Sequence, residues 1–184
     1  MKKIILTLAC LAGLFLNKGN AQVYIADSAK VAFFSETKAE NIDAVNTICK
    51  PLLSIGSGQF QVSVVNTSFV FKKDLMKEHF NEDYMESSKY PNTVFKGKIN
   101  ETIDYMEDGV HKVTVTGTMD MHGVQKIITV PGTITVKNGK LYIYAKFNVK
   151  MADYNIKLPS FLSVNVAESV DVTVTATMSQ MKTK

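Results

Sequence analysis

The chain has 184 residues, 21 basic residues that are all Lys, 17 acidic residues and a formal net charge of +4. Arginine is the side chain that proteins prefer for gripping phosphates and base edges, so its absence argues against nucleic-acid binding. The length suits a single domain that buries well over half of its unfolded surface.

The first 21 residues have the pattern of a secretory signal peptide. Lys2 and Lys3 form a positive n-region, residues 4–16 are an apolar run, and residues 19–21 are a small-residue cleavage site. That run is shorter than the ~20 residues of a membrane-spanning helix. Cleavage after Ala21 would leave a domain of residues 22–184 with 18 Lys against 17 acidic residues. We therefore expect a periplasmic or secreted protein without stable membrane insertion.

The N-terminal half of the expected domain predicts three strands, at residues 30–36, 40–46 and 59–71, with a bulge at residues 66–68. A turn at Ser57 and Gly58 precedes the third strand. Residues 74–85 break the alternation and predict one short helix that Asp74 can cap. Leu75, Met76, His79 and Phe80 would share a face of this helix.

The C-terminal half alternates between apolar and polar residues over long stretches, which is typical of antiparallel strands. Strands are predicted at residues 93–105, 110–121, 124–137, 140–151 and 168–181. Asp108-Gly109 and Asn138-Gly139 predict two-residue hairpin turns, and His122-Gly123 predicts a third.

About eight long antiparallel strands predict an all-β, single-domain fold that closes into a barrel, because closure removes the unpaired edges. The inward faces are rich in Val, Ile, Ala and Gly, which favours a cavity over a filled interior. The periodicity alone fits both, since hollow and packed barrels need the same apolar inner face. The expected ligand-binding residues on the strands are Phe60, Val62, Val64, Phe95, Val115, Met119, Ile143, Phe147, Val172 and Val174.

Three segments resemble the YceI-like family of exported polyisoprenoid- or lipid-binding proteins. Residues 73–95 combine a polar helix, Tyr90-Pro91 and an apolar strand, and residues 115–124 are similar to the family's Gly-x-Leu-x-x-His-Gly-Val hairpin. Residues 152–156 match a third segment in which the family usually has Gly at the position of Asn155. The resemblance implies an extended lipocalin-like barrel whose interior holds an isoprenoid or fatty-acid-like chain.

Few residues suggest a catalytic or metal-binding role. His122, at a hairpin tip, is interpreted as capping the turn or packing on the barrel rim, His79 as part of a solvated helix face, and His111 as exposed. Cys49 is the one cysteine after residue 21, so it is expected as a buried small hydrophobe rather than in a disulfide. With no nucleophile elbow and no metal-ligand spacing, we expect no catalytic site, no metal and no cofactor.

The sequence thus predicts an exported binding protein that holds a polyisoprenoid, an isoprenoid quinone or a fatty-acid-like lipid for transport, storage or sequestration. The alternative is a filled barrel that acts as a structural or protein-interaction module. Leu75, Met76 and Phe80 of the helix are expected to cover the opening of the cavity, either as a movable lid or as a fixed plug. The oligomeric state stays open.

Overall fold

A computed structural model describes residues 22–36, 41–157 and 168–181, so the predicted signal peptide lies outside the described residues. These residues form ten antiparallel strands and one short helix. They are β1 (Val23–Ser35), β2 (Ile42–Asn46), β3 (Leu52–Ser54), β4 (Gln59–Val65), β5 (Val70–Phe71), α1 (Asp74–His79), β6 (Asn92–Ile99), β7 (Gly109–Met121), β8 (Val124–Lys137), β9 (Lys140–Lys150) and β10 (Ser169–Gln180). No helix among them is long and apolar enough to cross a bilayer.

The strands close into a barrel because β1 pairs with β10 at one edge of the sheet. Going round, the order is β1, β10, β9, β8, β7, β6, β4, β3 and back to β1, which is a ring of eight strands. Strands β2 and β5 extend this ring from the second half of β1. The prediction of an all-β antiparallel barrel of about eight strands with one short helix is confirmed.

Two of the three predicted hairpin turns are confirmed. Asn138 and Gly139 have φ of 52° and 70°, and His122 and Gly123 have φ of 53° and 73°, as a type I′ turn requires. The predicted turn at Asp108 and Gly109 is wrong, because β6 ends at Ile99 and a longer loop leads to β7.

Side-chain hydrogen bonds hold the loop between β6 and β7, where a continuous hairpin ladder was predicted. The Glu101 carboxylate accepts bonds from the Thr114 backbone N–H (2.7 Å) and hydroxyl (2.8 Å), and the Asp108 carboxylate accepts the Asn138 N–H (2.9 Å). Within the loop itself the Asp104 carboxylate accepts the Met106 N–H (2.8 Å), and such a local side-chain bond favours a turn over a strand.

The N-terminal half differs from expectation in three places. Strand β1 begins at Val23 rather than residue 30, β3 was not predicted, and the strand predicted over residues 59–71 is divided into β4 and β5. A single 3₁₀ turn, Asn66–Ser68, stands where a bulge was expected. The fully buried Asn66 side chain stabilises this turn, because its amide donates to the Tyr90 carbonyl (2.7 Å) and accepts from the Thr93 hydroxyl (3.0 Å).

The predicted helix is present as α1, which continues into a π-helical turn, Phe80–Tyr84. Asp74 is its first residue rather than its N-cap; Lys73 occupies the cap position and makes no capping bond with its side chain. The acidic Asp74 still lies in the first turn, where the free backbone N–H groups favour negative charge.

The wall of the barrel is not uniformly hydrogen-bonded. The ladder between β8 and β9 runs from Lys137–Lys140 to Gly132–Ala145, and residues 124–131 do not continue it. Pro131 has no N–H to donate at the point where the ladder stops. A 3₁₀ turn, Met151–Tyr154, contacts both strands beside this gap, and Lys126 bonds Asp153 across it at 2.8 Å.

Strands β6 and β7 approach so closely at Gly97 and Gly117 that a side chain there has no room. A Cβ on Gly117 would lie 2.2 Å from the Lys96 carbonyl oxygen and 2.3 Å from the Gly97 Cα, both backbone atoms. We predict that Gly117→Ala lowers the free energy of unfolding by about 2 kcal/mol, because the backbone must shift. Urea titration followed by circular dichroism measures this.

Gly109→Ala is the matched control on the same strand. A Cβ there has its nearest neighbour at 3.5 Å, the His111 ring, and Gly109 has no positive φ. The control should change stability by less than about 0.5 kcal/mol. Equal unfolding midpoints for the two variants would show that the contact at Gly117 does not constrain the sheet.

Candidate ligand-binding cavity

The inward faces of the strands enclose a cavity of about 430 Å³. An engineered protein cavity of roughly 150 Å³ already binds benzene, and ligand sites are typically about 300–1,000 Å³. The interior is therefore hollow on the scale of a small molecule. This follows from the alternation of the strands, which directs Val, Ile, Ala and Gly inward and most Thr and Lys side chains outward.

Most residues predicted to bind the ligand line this cavity. They are Phe60, Val62, Val64, Met76, Phe80, Phe95, Val115, Met119, Ile143, Phe147, Val172 and Val174. Their contact with a ligand stays a prediction. Leu75 is not part of the cavity wall: its side chain is 60% exposed, because α1 turns Met76 and Phe80 inward and leaves Leu75 facing solvent.

One end of the cavity is formed by four phenylalanines that the sequence analysis did not group. Phe80 packs against Phe33, Phe69 and Phe71 with ring-centroid distances of 5.4, 5.4 and 5.1 Å. Aromatic pairs at this spacing contribute about 0.5–1.5 kcal/mol beyond their buried area. The cluster fixes the helical segment to β1 and β5. The alternation of β1, which places Val31, Phe33 and Ser35 on one face, was the signal that could have located it.

The polar atoms of the wall are few. Asn66 and Thr93 bond each other, as described above, and the wall residues that the structure describes include no Lys, Asp or Glu. Burial, with a smaller effect of the Asp83 carboxylate, raises the pKa of Tyr84. His79 lines the cavity at an exposed position, where its Nδ1 lies 2.6 Å from Asp83 Oδ2. The cavity therefore offers an almost entirely apolar, uncharged interior.

His122 lies outside the cavity wall and fastens one end of the barrel. The residue is 8% exposed; Nδ1 lies 3.0 Å from the Tyr154 carbonyl oxygen and Nε2 lies 3.3 Å from the Glu86 carboxylate. Because a carbonyl only accepts, Nδ1 is the donor in the first bond. The Tyr90 ring packs against it at 4.6 Å. His122 thus joins the β7–β8 hairpin to the segments before β6 and after β9, which agrees with its interpretation as a packed rim residue.

His111 corrects an expectation. It was predicted to be exposed, but it lies on the inner side of β7 opposite Ile134 and is half-buried. Among the described residues its Nε2 has no hydrogen-bond partner, and the ring does not line the cavity.

Cys49 is buried, as predicted, with 5% of its surface exposed. Burial raises the pKa of its thiol above the ordinary value, although backbone hydrogen bonds act in the opposite direction. The thiolate is the reactive form, so a raised pKa and a covered sulfur both slow alkylation.

We predict that Cys49 of the folded protein reacts with iodoacetamide at pH 8 at least tenfold more slowly than in urea-unfolded protein. The reactivity should rise only above the ordinary thiol pKa, because the folded state holds the thiol protonated. Mass spectrometry of timed samples measures the modified fraction. A native rate equal to the unfolded rate would mean that Cys49 is accessible.

A closed ring of eight antiparallel strands around an apolar interior places the chain among the small antiparallel β-barrels, whose interior is filled by side chains or holds one small ligand. The sequence model of the YceI-like domain matches residues 22–178. The chain belongs to the YceI-like family, as the three sequence segments indicated. No curated protein sequence matches it.

Solved structures share the fold at low sequence identity. A polyisoprenoid-binding domain from Saccharophagus degradans, implicated in plant cell wall breakdown, superposes with a TM-score of 0.73 at 16% identity over 86% of this chain and 98% of its own. BcnA from Burkholderia cenocepacia gives 0.68 at 16% identity over 81% and 95%. The YCEI protein of Campylobacter jejuni gives 0.56 at 18% identity over 100% of both chains.

Proposed function

We propose that this protein is an exported binding protein that holds one apolar chain, a polyisoprenoid, an isoprenoid quinone or a fatty-acid-like lipid, for transport, storage or sequestration. The observation that carries the proposal is the cavity of about 430 Å³ with an uncharged, apolar wall. Each methylene that leaves water for such an interior contributes about 0.8 kcal/mol, so a chain of a dozen carbons supplies ample driving force.

One further observation supports an apolar cargo. The solved structure with the same fold from Saccharophagus degradans is a polyisoprenoid-binding domain. The alternative, a filled barrel that serves only as a structural or interaction module, requires an interior with voids of a few waters, which a cavity of about 430 Å³ exceeds.

Export is supported by the signal-like residues 1–21 and by the family match, which begins at residue 22, directly after the expected cleavage site. A binding role without catalysis is supported by the position of His122. Both of its ring nitrogens face oxygen atoms of the protein, and the ring lies outside the cavity wall, so it is not directed at a bound ligand.

Native mass spectrometry of the mature protein before and after organic extraction tests the proposal. We expect a co-purified lipid, or uptake of an isoprenoid or fatty acid by the extracted protein at a ratio of one to one. A protein that carries no lipid and takes up neither class of ligand would refute the proposed function.

Val174→Phe sharpens this test, because Val174 lines the cavity beside the small residue Ala145. The added ring should occupy ligand space and weaken binding at least tenfold. Thr175→Phe, the next residue on the outer face of β10, is the matched control and should bind normally. Equal affinities for the two variants would place the ligand outside the barrel.

The helical segment is proposed to control access to the cavity. Met76 lines the cavity whereas Leu75, its neighbour on α1, is exposed. Met76→Ala should speed uptake of a fluorescent isoprenoid analogue several-fold in stopped-flow measurements, and Leu75→Ala should not change the rate. Unchanged uptake by Met76→Ala together with a lowered melting temperature would identify the segment as a fixed plug.

A further inference from the structure

Ser35 places a buried hydroxyl in the apolar wall. It is the last residue of β1 and lies on the same face as Val31 and Phe33, which also line the cavity. Only 3% of its surface is exposed. Among the described residues, its Oγ has no hydrogen-bond partner.

This hydroxyl differs from the other buried polar groups near the cavity. The Asn66 amide and the Thr93 hydroxyl bond each other, so the protein itself satisfies them. A buried hydroxyl without a partner destabilises a fold, and most buried side-chain polar atoms are paired. An unpaired hydroxyl directed into a ligand cavity is therefore available to the polar group of a ligand.

Ser35 places one unpaired hydroxyl at the end of β1, in a wall that is mainly apolar. Ser35 marks the end of β1, beside the phenylalanine cluster, and the wall continues along β1 to Val31, about 13 Å away at ~3.3 Å per residue. The lining residues of β7 and β8 include Val113, Val115, Val130 and Ile134, which are all apolar. A ligand with one polar end fits this arrangement lengthwise.

Because the described cavity wall contains no Lys, Asp or Glu, the polar end of a bound ligand is expected to be neutral. The described wall contains no Lys to pair with a phosphate or carboxylate, and His79, its titratable imidazole, already lies 2.6 Å from Asp83. Burying an ion without a counter-charge is far more costly than burying a hydroxyl that gains a hydrogen bond. A charged head is therefore disfavoured inside the cavity.

We infer that the cavity binds a lipid with a neutral, hydrogen-bonding head, such as an isoprenoid alcohol, and that Ser35 Oγ bonds this head while the apolar tail runs along β7 and β8. The inference rests on the proposed function, since it names the head group of the lipid that the cavity holds. It assigns Ser35 as the residue that distinguishes a polar-ended chain from a plain hydrocarbon.

Three probes with one carbon skeleton test it: farnesol, the hydrocarbon farnesene and farnesyl phosphate, each measured by displacement of a fluorescent lipid. In the native protein farnesol should bind about fivefold more tightly than farnesene and at least tenfold more tightly than farnesyl phosphate. Ser35→Ala should remove the preference for farnesol over farnesene, because the hydroxyl that bonds the head is gone. Ser35→Thr, which keeps a hydroxyl, should restore most of the preference.

Ser63→Ala is the matched control, because Ser63 lies on the outer face of β4 between the cavity residues Val62 and Val64. It should leave all three affinities unchanged. An unchanged farnesol preference in Ser35→Ala overturns the assignment of Ser35, and farnesyl phosphate binding as tightly as farnesol overturns the neutral head. Failure of the native protein to bind any of the three probes would count against the proposed function itself.

Discussion

The pairing of β1 with β10 is the constraint on which the molecule depends. It joins residues about 150 positions apart in the chain, from Tyr24–Gln180 to Phe34–Asp171, and turns a meander with two open edges into a ring. On its other edge β1 also pairs with β3 and then with β2. The inward side of β1 is consequently covered by the opposite wall, and apolar residues there meet a cavity instead of water.

Much of the fold follows from patterns that are local in sequence. Alternation over residues 110–150 predicts three strands and the turns at His122 and Asn138, because both signals depend on neighbouring residues alone. The N-terminal half is less predictable, because its elements depend on residues that are distant in sequence. Strand β3 has three residues and is stabilised by β1 and β4, and the division at Asn66 depends on hydrogen bonds to Tyr90 and Thr93. A pattern of neighbouring residues does not reveal such long-range partners.

The cavity wall was predictable wherever alternation identified an inner face, as at Val115, Ile143 and Val174. Helix α1 was harder, because six residues give one face little definition and Leu75 was assigned inward with Met76. Ser35 shows a different limit. Its position on the inner face follows from the spacing to Phe33, but a hydroxyl without a partner becomes visible only when every neighbouring donor and acceptor has a position.

The gap in the wall beside Pro131 has a mechanical consequence. Where two strands share a ladder, separating them breaks backbone hydrogen bonds, and the barrel resists widening. Residues 124–131 of β8 share no ladder with β9, so separating the two strands there breaks contacts such as Lys126–Asp153 instead of a backbone ladder. Widening the barrel at this place is therefore easier than where two strands share a ladder, and it can leave the remaining ladders of the sheet intact.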